Sequence, residues 1–219
     1  VVADFATHAG RQTVLDLVRD ADVLIENFKL GGLAKFGLDY ASLHAVNPRL
    51  VYCSITGFGH TGPYAARAGY DFIVQGMSGI MDLSGLPDGP PTKIGVAYAD
   101  IMTGLYAVIA IQAALRQREA TGRGQHIDMA LLDVMVGTLA NQAMNYLVSG
   151  TSPRRMGMAH PNIVPYDGFE TADGWVIIAV GNDTQFARLS ALIDLPANPG
   201  WATNAGRVAD RAAVTQAIA

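Results

Sequence analysis

Residues 50–56 read LVYCSIT, an apolar run with no charged residue. A strand in a half-solvated sheet alternates apolar and polar. A strand covered by helices on both faces stays apolar instead, and that is the pattern here. Working outward, YASLHAVN (40–47) reads as a short helix stopped by Pro48. Before it, DVLIEN (22–27) is a second short apolar strand. HAGRQTVLDLVRDA (8–21) is a helix, with Val14, Leu17 and Val18 on one face at helical spacing. VVADF (1–5) reads as a further strand. The strand–helix–strand rhythm implies an α/β class and a parallel sheet with right-handed crossovers.

Towards the C-terminus, GFGHTGPYAARAG (57–69) is a Gly-rich loop and residues 70–81 are helical. LPDGPPTKIG (86–95) is a Pro/Gly loop. Residues 98–118 form a long helix that the sequence places in the core, and residues 129–149 another. Residues 151–160 lack periodicity and read as a linker. FETADGWVIIAVG (169–181) reads as two strands joined at Asp173-Gly174, a hairpin signal. DTQFARLSALI (183–193) is a helix. The expected organisation is a large Rossmann-like domain over 1–150, a linker over 151–160 and a smaller α/β domain over 161–219.

Composition excludes several function classes. Net charge is −4, only 16% of residues are charged, and there is no basic run. Nucleic acid is therefore not an expected partner. Cys53 is the single cysteine, so no internal disulfide can form and no metal site is expected. That fits a reducing compartment, and the cytoplasm is the expected location. The stretch Ile101–Leu115 is short of the ~20 apolar residues a membrane span needs, so no membrane partner is expected. The five histidines, at 8, 44, 60, 126 and 160, have no metal-ligand spacing and read as satisfied or surface residues. Cys53, inside an apolar strand, reads as an inert core thiol. No G-x-S-x-G elbow is present, which argues against an α/β-hydrolase. Gly57, Gly59 and Gly62 match G-x-G-x-x-G after a strand, but Pro63 and more loop precede the next helix, so the dinucleotide fingerprint lacks its context.

IDMALLDVMVG (127–137) holds one anomaly. Asp128 is explained as a helix N-cap. Asp133 falls about a turn further in, among Leu131, Leu132, Val134 and Met135. One reading has its carboxylate bonded to a neighbouring loop or turned to solvent, and residue type alone favours that. The other holds it in a dry pocket near a helix N-terminus, where the dipole favours the ionised form. Such a carboxylate is a usable nucleophile towards an activated acyl group.

Five ordered strings bear on the choice: ADVLIENFKLGGLAKFGLDY, ITGFGHTGPYAARAGYDFIVQGMSG, ADIMTGLYAVIAIQAAL, TGRGQHIDMALLD and AHPNIVPYDGF. Together they resemble the class III CoA-transferase family of CaiB/BaiF type, the group of formyl-CoA:oxalate transferase, carnitine CoA-transferase and α-methylacyl-CoA racemase. The resemblance covers nearly the whole chain. It begins after the family's first Rossmann-like strands and stops inside its small domain. With no initiator Met and an end inside a helical pattern, both termini are expected to be cut within a longer protein.

The resemblance implies that Asp133 is the catalytic aspartate, which attacks an acyl-CoA thioester and carries the exchange through aspartyl anhydride and aspartyl-CoA intermediates. It implies CoA contacts for Asn27 and Phe28, for Lys35 at the nucleotide phosphates, for Phe36 on the adenine and for Arg67. Lys35 stands where an Arg is common; it keeps the charge and loses the bidentate fork. Leu30 replaces the family's usual Pro. Tyr70 stands where racemases of the family carry a His acid/base. A phenol of pKa about 10 is a poor base at neutral pH, so transfer is favoured over racemisation, and Tyr70 either borders the acyl or acceptor pocket or is a packing residue. Asp183, near a racemase acid position, reads as an N-cap.

The expected activity is therefore CoA transfer between an acyl-CoA and a small carboxylic acid, with AHPNIVPY and GNDTQF favouring dicarboxylates. An acyl-CoA racemase or epimerase and a non-catalytic acyl-CoA-binding paralogue are the alternatives. No cofactor beyond coenzyme A is expected. The resemblance also implies an interlocked homodimer in the full-length protein.

Overall fold

The computed structural model describes residues 1–219. The chain divides into two compact units, one of residues 1–81 with 93–144, the other of residues 82–92 with 145–219. The division falls between 144 and 145. Residues 82–92 join the second unit because Arg155 pairs with Asp82 and the Gly157 N–H donates to the Gly85 carbonyl. The same two contacts tie the 151–160 stretch into that unit rather than leaving it as a free tether.

The first unit is built on three parallel strands in the order β1 (Val23–Glu26), β2 (Val51–Thr56) and β3 (His126–Ala130). Val51 to Ser54 of β2 are buried on both faces. Tyr52 points one way, into a cluster with Val18, Leu33, Leu38, Leu43 and Leu50. This is the side of α1 (His8–Asp20) and α2 (Tyr40–Val46). Val51 and Cys53 point the other way, onto Ala107, Ile111 and Ala114 of α5 (Tyr98–Thr121). The continuous apolar run of β2 thus has the cause inferred from the sequence: two helical layers, one on each face. Buried Asn47 closes the first layer by donating to the Val18 and Ala21 carbonyls at the end of α1.

Several boundaries differ from the sequence expectation. Residues 1–5 form no strand. Asp4 is used in a turn that starts α1, its carbonyl accepting from the Thr7 N–H and hydroxyl, while Val1 and Val2 are fully exposed. The helix expected over 70–81 is two, α3 (Asp71–Ser78) and α4 (Ile80–Leu83), broken at Gly79, whose φ is +90°. The helix expected over 129–149 is α6 (Leu131–Gly137) and α7 (Ala140–Ser149), parted where Ala140 takes φ +46°. The residues before α6 are β3, which the sequence reading missed. The strand feeds straight into the helix, so Ala130 is the N-cap and Asp128 lies mid-strand.

The long helix α5 is not the buried helix expected. Ala99, Thr103, Ala107, Ile111 and Ala114 form one inward stripe, while Ile101, Leu105, Val108 and Ile109 face out. By length and composition alone it is apolar enough to cross a membrane. Its inward stripe packs on β2, β3, α3 and α6, as a helix of a globular unit does.

In the second unit β4 (Tyr166–Thr171) and β5 (Gly174–Ala179) form the expected antiparallel hairpin, turning through Ala172 and Asp173. The helices α8 (Asp183–Leu192), α9 (Asn204–Ala209) and α10 (Arg211–Ile218) follow. Val164, Val180, Phe186, Trp201 and Val214 make the core.

Candidate active site

In open parallel sheets, ligands bind beyond the carboxyl ends of the strands. Three chain segments leave the sheet there. Asn27 and Phe28 follow β1, the Gly57–Gly69 loop follows β2, and α6 follows β3. The strand registers align these exits, with Glu26 opposite Ser54 and Thr56 opposite Ala130. Neighbouring strands lie ~4.8 Å apart, so the exits of β1 and β3 are ~10 Å apart across the sheet.

Asp133 is in the first turn of α6 and solvent-exposed. Helical spacing explains why. Leu131, Val134 and Met135 form the buried stripe, which turns position 133 outward. The expectation of a dry pocket is therefore not met within this chain. Its place in the first turn still suits an anion, because the unpaired helix N–H groups carry partial positive charge.

The segment leaving β1 is ordered by local bonds. The Phe28 N–H donates to the Glu26 carboxylate at 2.7 Å, and the Asn27 side chain faces solvent. Phe36 packs edge-on against Phe5 with centroids 5.1 Å apart, and the Lys35 ammonium lies 4.7 Å over its ring. Phe28 also packs edge-to-face with Phe5, with centroids 5.6 Å apart. Phe28, Phe36 and Lys35 are thus brought together around Phe5, a residue that sequence reasoning left out.

Beside this segment is a cleft of about 340 Å³, lined by Glu26, Lys29, Tyr40, Ser54, His60 and His126 among others. Its wall is a stack of rings. Tyr40 lies nearly parallel to His126 at 5.0 Å, and His60 meets His126 at 5.1 Å. Buried Ser54 shares a 2.9 Å hydrogen bond with His126 Nε2. Burial, and then His60, lower the His126 pKa below its ordinary 6.5, against the opposing pull of Asp128 and Glu26. Tyr52 has its pKa raised by burial, and its hydroxyl donates to the Leu38 carbonyl. Cys53 is buried and its thiol is pushed up to about 11, again chiefly by burial, which makes it a poor nucleophile.

The loop after β2 carries the remaining residues of interest. Arg67 lies over the Tyr64 ring at 4.3 Å, and Tyr70 is 71% exposed just before α3. The three glycines of G-x-G-x-x-G lead into bends, and the next helix starts only at Asp71, so no phosphate-binding helix N-terminus follows them. No group of three His, Cys, Asp or Glu side chains is close enough to hold a metal ion. Asp183 is not an N-cap. Asn182 fills that role for α8, and Asp183 pairs with Arg207 at 2.9 Å.

The sequence pattern described as CoA-transferase family III matches residues 1–219. This chain belongs to that family. It is 60% identical over 221 aligned residues to a succinate–glutarate CoA-transferase of Agrobacterium fabrum, covering 100% of this chain and 55% of the relative. It is 42% identical over 205 residues to the human succinyl-CoA:glutarate CoA-transferase, covering 92% of this chain and 47% of that one. The crystal structure of a CAIB/BAIF family protein from Brucella suis matches with a TM-score of 0.83 at 65% identity, covering 99% of this chain and 58% of that chain. The chain thus spans about half the length of the relatives it matches.

The motif strings led to the exits of β1 and β2, but the exit of β3 was read as helix, and the strings did not single out the His60–His126 pair in the cleft. His60 and His126 are far apart in sequence and meet through the pairing of β2 with β3 and the bond from the His60 N–H to Asp128. No spacing rule could have joined them. One signal was available: IDM alternates as a strand does, and reading it so moves Asp128 off the helix and onto the sheet.

Proposed function

We propose that the protein is a CoA-transferase that moves CoA between an acyl-CoA and a small carboxylic acid, dicarboxylates of the succinate and glutarate type first among them. The observation that carries this reading is Asp133. It stands outward at the carboxyl end of the sheet on a helix anchored by Leu131, Val134 and Met135. The names of the relatives, succinate–glutarate and succinyl-CoA:glutarate transferase, support the substrate class.

In the proposed reaction an Asp133 oxygen attacks the thioester carbonyl, the C–S bond breaks, and CoA leaves as thiolate from an acyl–aspartyl anhydride. The thiolate attacks the aspartyl carbonyl and releases the first carboxylate. The acceptor carboxylate attacks the aspartyl thioester and again frees CoA thiolate. That thiolate attacks the acceptor's acyl carbon, gives the new acyl-CoA and returns Asp133 as a carboxylate. An anhydride and a thioester are close in reactivity to the starting acyl-CoA, so no intermediate is a trap. We assign Asn27, Phe28, Lys35, Phe36 and Arg67 to CoA, with the cations at its phosphates, and Tyr70 to the acyl or acceptor pocket. CoA enters as substrate, and no other cofactor is invoked.

Water must be kept from these intermediates, and Asp133 faces outward from its own unit. Shelter then comes from bound acyl-CoA and from further protein. A second, interlocked copy is our proposal for the latter, with the outward apolar face of α5 as surface for it to cover. The test is Asp133→Ala with hydroxylamine trapping. The unaltered protein incubated with succinyl-CoA gives a hydroxamate at Asp133 by mass spectrometry. The variant loses exchange by about 10³-fold or more at unchanged circular dichroism. Full exchange by the variant ends the proposal.

A further inference from the structure

The loop from Gly57 to Gly69 is pinched shut at its neck. A Cβ on Gly57 would stand 2.4 Å from the Gly69 Cα, and one on Gly69 would stand 2.3 Å from the Gly57 Cα. Neither glycine is there for a left-handed φ; the two backbones simply cross with no room for a side chain. The crossing lies against the start of α6. The Leu132 N–H, one residue before Asp133, donates to the Gly57 carbonyl at 3.1 Å. Because Ala130 offers no side-chain cap, this carbonyl serves one of the helix's otherwise unpaired N–H groups.

A second tie holds the same loop from the sheet. Asp128, mid-strand in β3, accepts from the His60 N–H at 2.9 Å. Gly59, between the two ties, has φ +79°, and a Cβ there would lie 3.6 Å from both the Asp128 carboxylate and the Ala130 Cβ. Its N–H donates to the Thr56 hydroxyl at 2.9 Å. On the far side Gly69 leads into α3, whose Asp71 accepts from the Ala99 N–H at the start of α5. Val74 of α3 shares a buried cluster with Leu131 and Met135 of α6. The helix bearing Asp133 is thus braced by the loop's first residues at its start and by α3 along its length.

We propose that Asp128 is a positioning residue for CoA exchange: it clamps the loop through the His60 amide, so that the Gly57 carbonyl fixes the Leu132 amide and with it the aim of Asp133. This rests on Asp133 being the nucleophile. It gives Asp128 a task that neither an N-cap nor a surface charge explains. The bond needs only an acceptor oxygen, so Asn at this position retains it and Ala does not.

The test compares Asp128→Ala, Asp128→Asn and Asp133→Ala in the protein with its full chain, with succinyl-CoA and glutarate as probes. Misplacing a reacting group by ~1 Å costs up to about 10²-fold in rate. Asp128→Ala is therefore expected to lower kcat about 10- to 100-fold, with KM for succinyl-CoA within about 2-fold and an unchanged unfolding midpoint. Asp128→Asn restores most of kcat. Gly69→Ala is expected to lose more, and the Asp128 pair decides the matter if that variant does not fold. Undiminished kcat in Asp128→Ala overturns the inference, as does an Asn variant as slow as the Ala variant. An inactive Asp133→Ala beside a fully active Asp128→Ala refutes the clamp alone. An active Asp133→Ala refutes both readings.

Discussion

The two units hold their centres together by different means. At the centre of the first, β2 presents Val51 and Cys53 to one helical layer and Tyr52 to the other, and the helices close over it. In the second, the apolar core around Val164, Phe186 and Trp201 also encloses a cation. Arg207 is 0% exposed and donates to the Val164 carbonyl, the Trp201 carbonyl and the Asp183 carboxylate, with its guanidinium 4.3 Å over the Phe186 ring. The hairpin beside it leaves Trp175 and Ile177 66% and 76% exposed, so β5 has less apolar cover than β2. An apolar centre loses stability piecemeal when one side chain is trimmed. A buried cation holding several acceptors fails as a unit, because each abandoned acceptor is left unpaired.

The largest effect is expected from breaking that cation hub. Arg207→Ala strands two buried carbonyls, at about 1–3 kcal/mol each, and removes the packing on Phe186. The ion pair itself adds little of this, since Asp183 is half exposed. Both tryptophans of the chain, Trp175 and Trp201, lie in this unit, so tryptophan fluorescence in a urea titration reports on it selectively. A midpoint unmoved in the variant would mean that the hub is not the anchor. The matching change in the first unit is milder. Tyr52→Phe removes only the hydroxyl bond to Leu38 and keeps the ring, for a loss of about 1 kcal/mol by far-ultraviolet circular dichroism. A loss as large as that of Arg207→Ala would erase the contrast between the two centres.

The same contrast governs what could be read from the sequence. Apolar patterning placed β1, β2, α1 and α2, although Leu17, expected on the inner face of α1 with Val14 and Val18, is exposed and Leu15 packs inward in its stead. The hairpin was legible from its turn signal and not from burial, since β5 is mostly exposed. Patterning failed where a neighbour decides. Val1 and Val2 resemble the start of a strand, but a turn at Asp4 takes the segment into α1. Residues 129–149 have one helical pattern, but Ala140 adopts φ +46° and splits them. The Arg207 hub left no signal, since two of its three acceptors are backbone carbonyls, which no residue type marks, and the third, Asp183, read as an N-cap. Of the candidate site, the segments leaving β1 and β2 were legible from the sequence, while the exit of β3 was read as helix. The outward aim of Asp133, the His126 stack and the Gly57–Gly69 crossing were not legible, because each depends on which strand lies beside which.

The smallest expected effect concerns His126, at the edge of the apolar centre. His126 is enclosed by Ser54 and Tyr52 of β2, Tyr40 of α2 and His60 of the loop, with Asp128 on its own strand and Glu26 of β1 near enough to act on it. Its folded-state pKa is lowered from 6.5, first by burial and then by His60. The unfolded chain therefore binds the proton more readily than the folded one. Its contribution is fully present above about pH 6.5 and declines as pH falls from there through the lower folded-state value. A His126→Gln variant lacks this term. The stability difference between the parent protein and the variant should then narrow as pH drops from 7 to 5, read from urea midpoints by circular dichroism. His60 is kept in both proteins, so comparing them isolates position 126. A difference constant across that range would mean that His126 binds its proton equally well in the folded and unfolded chain, and the ring stack would then be a packing feature like the rest of the β2 core.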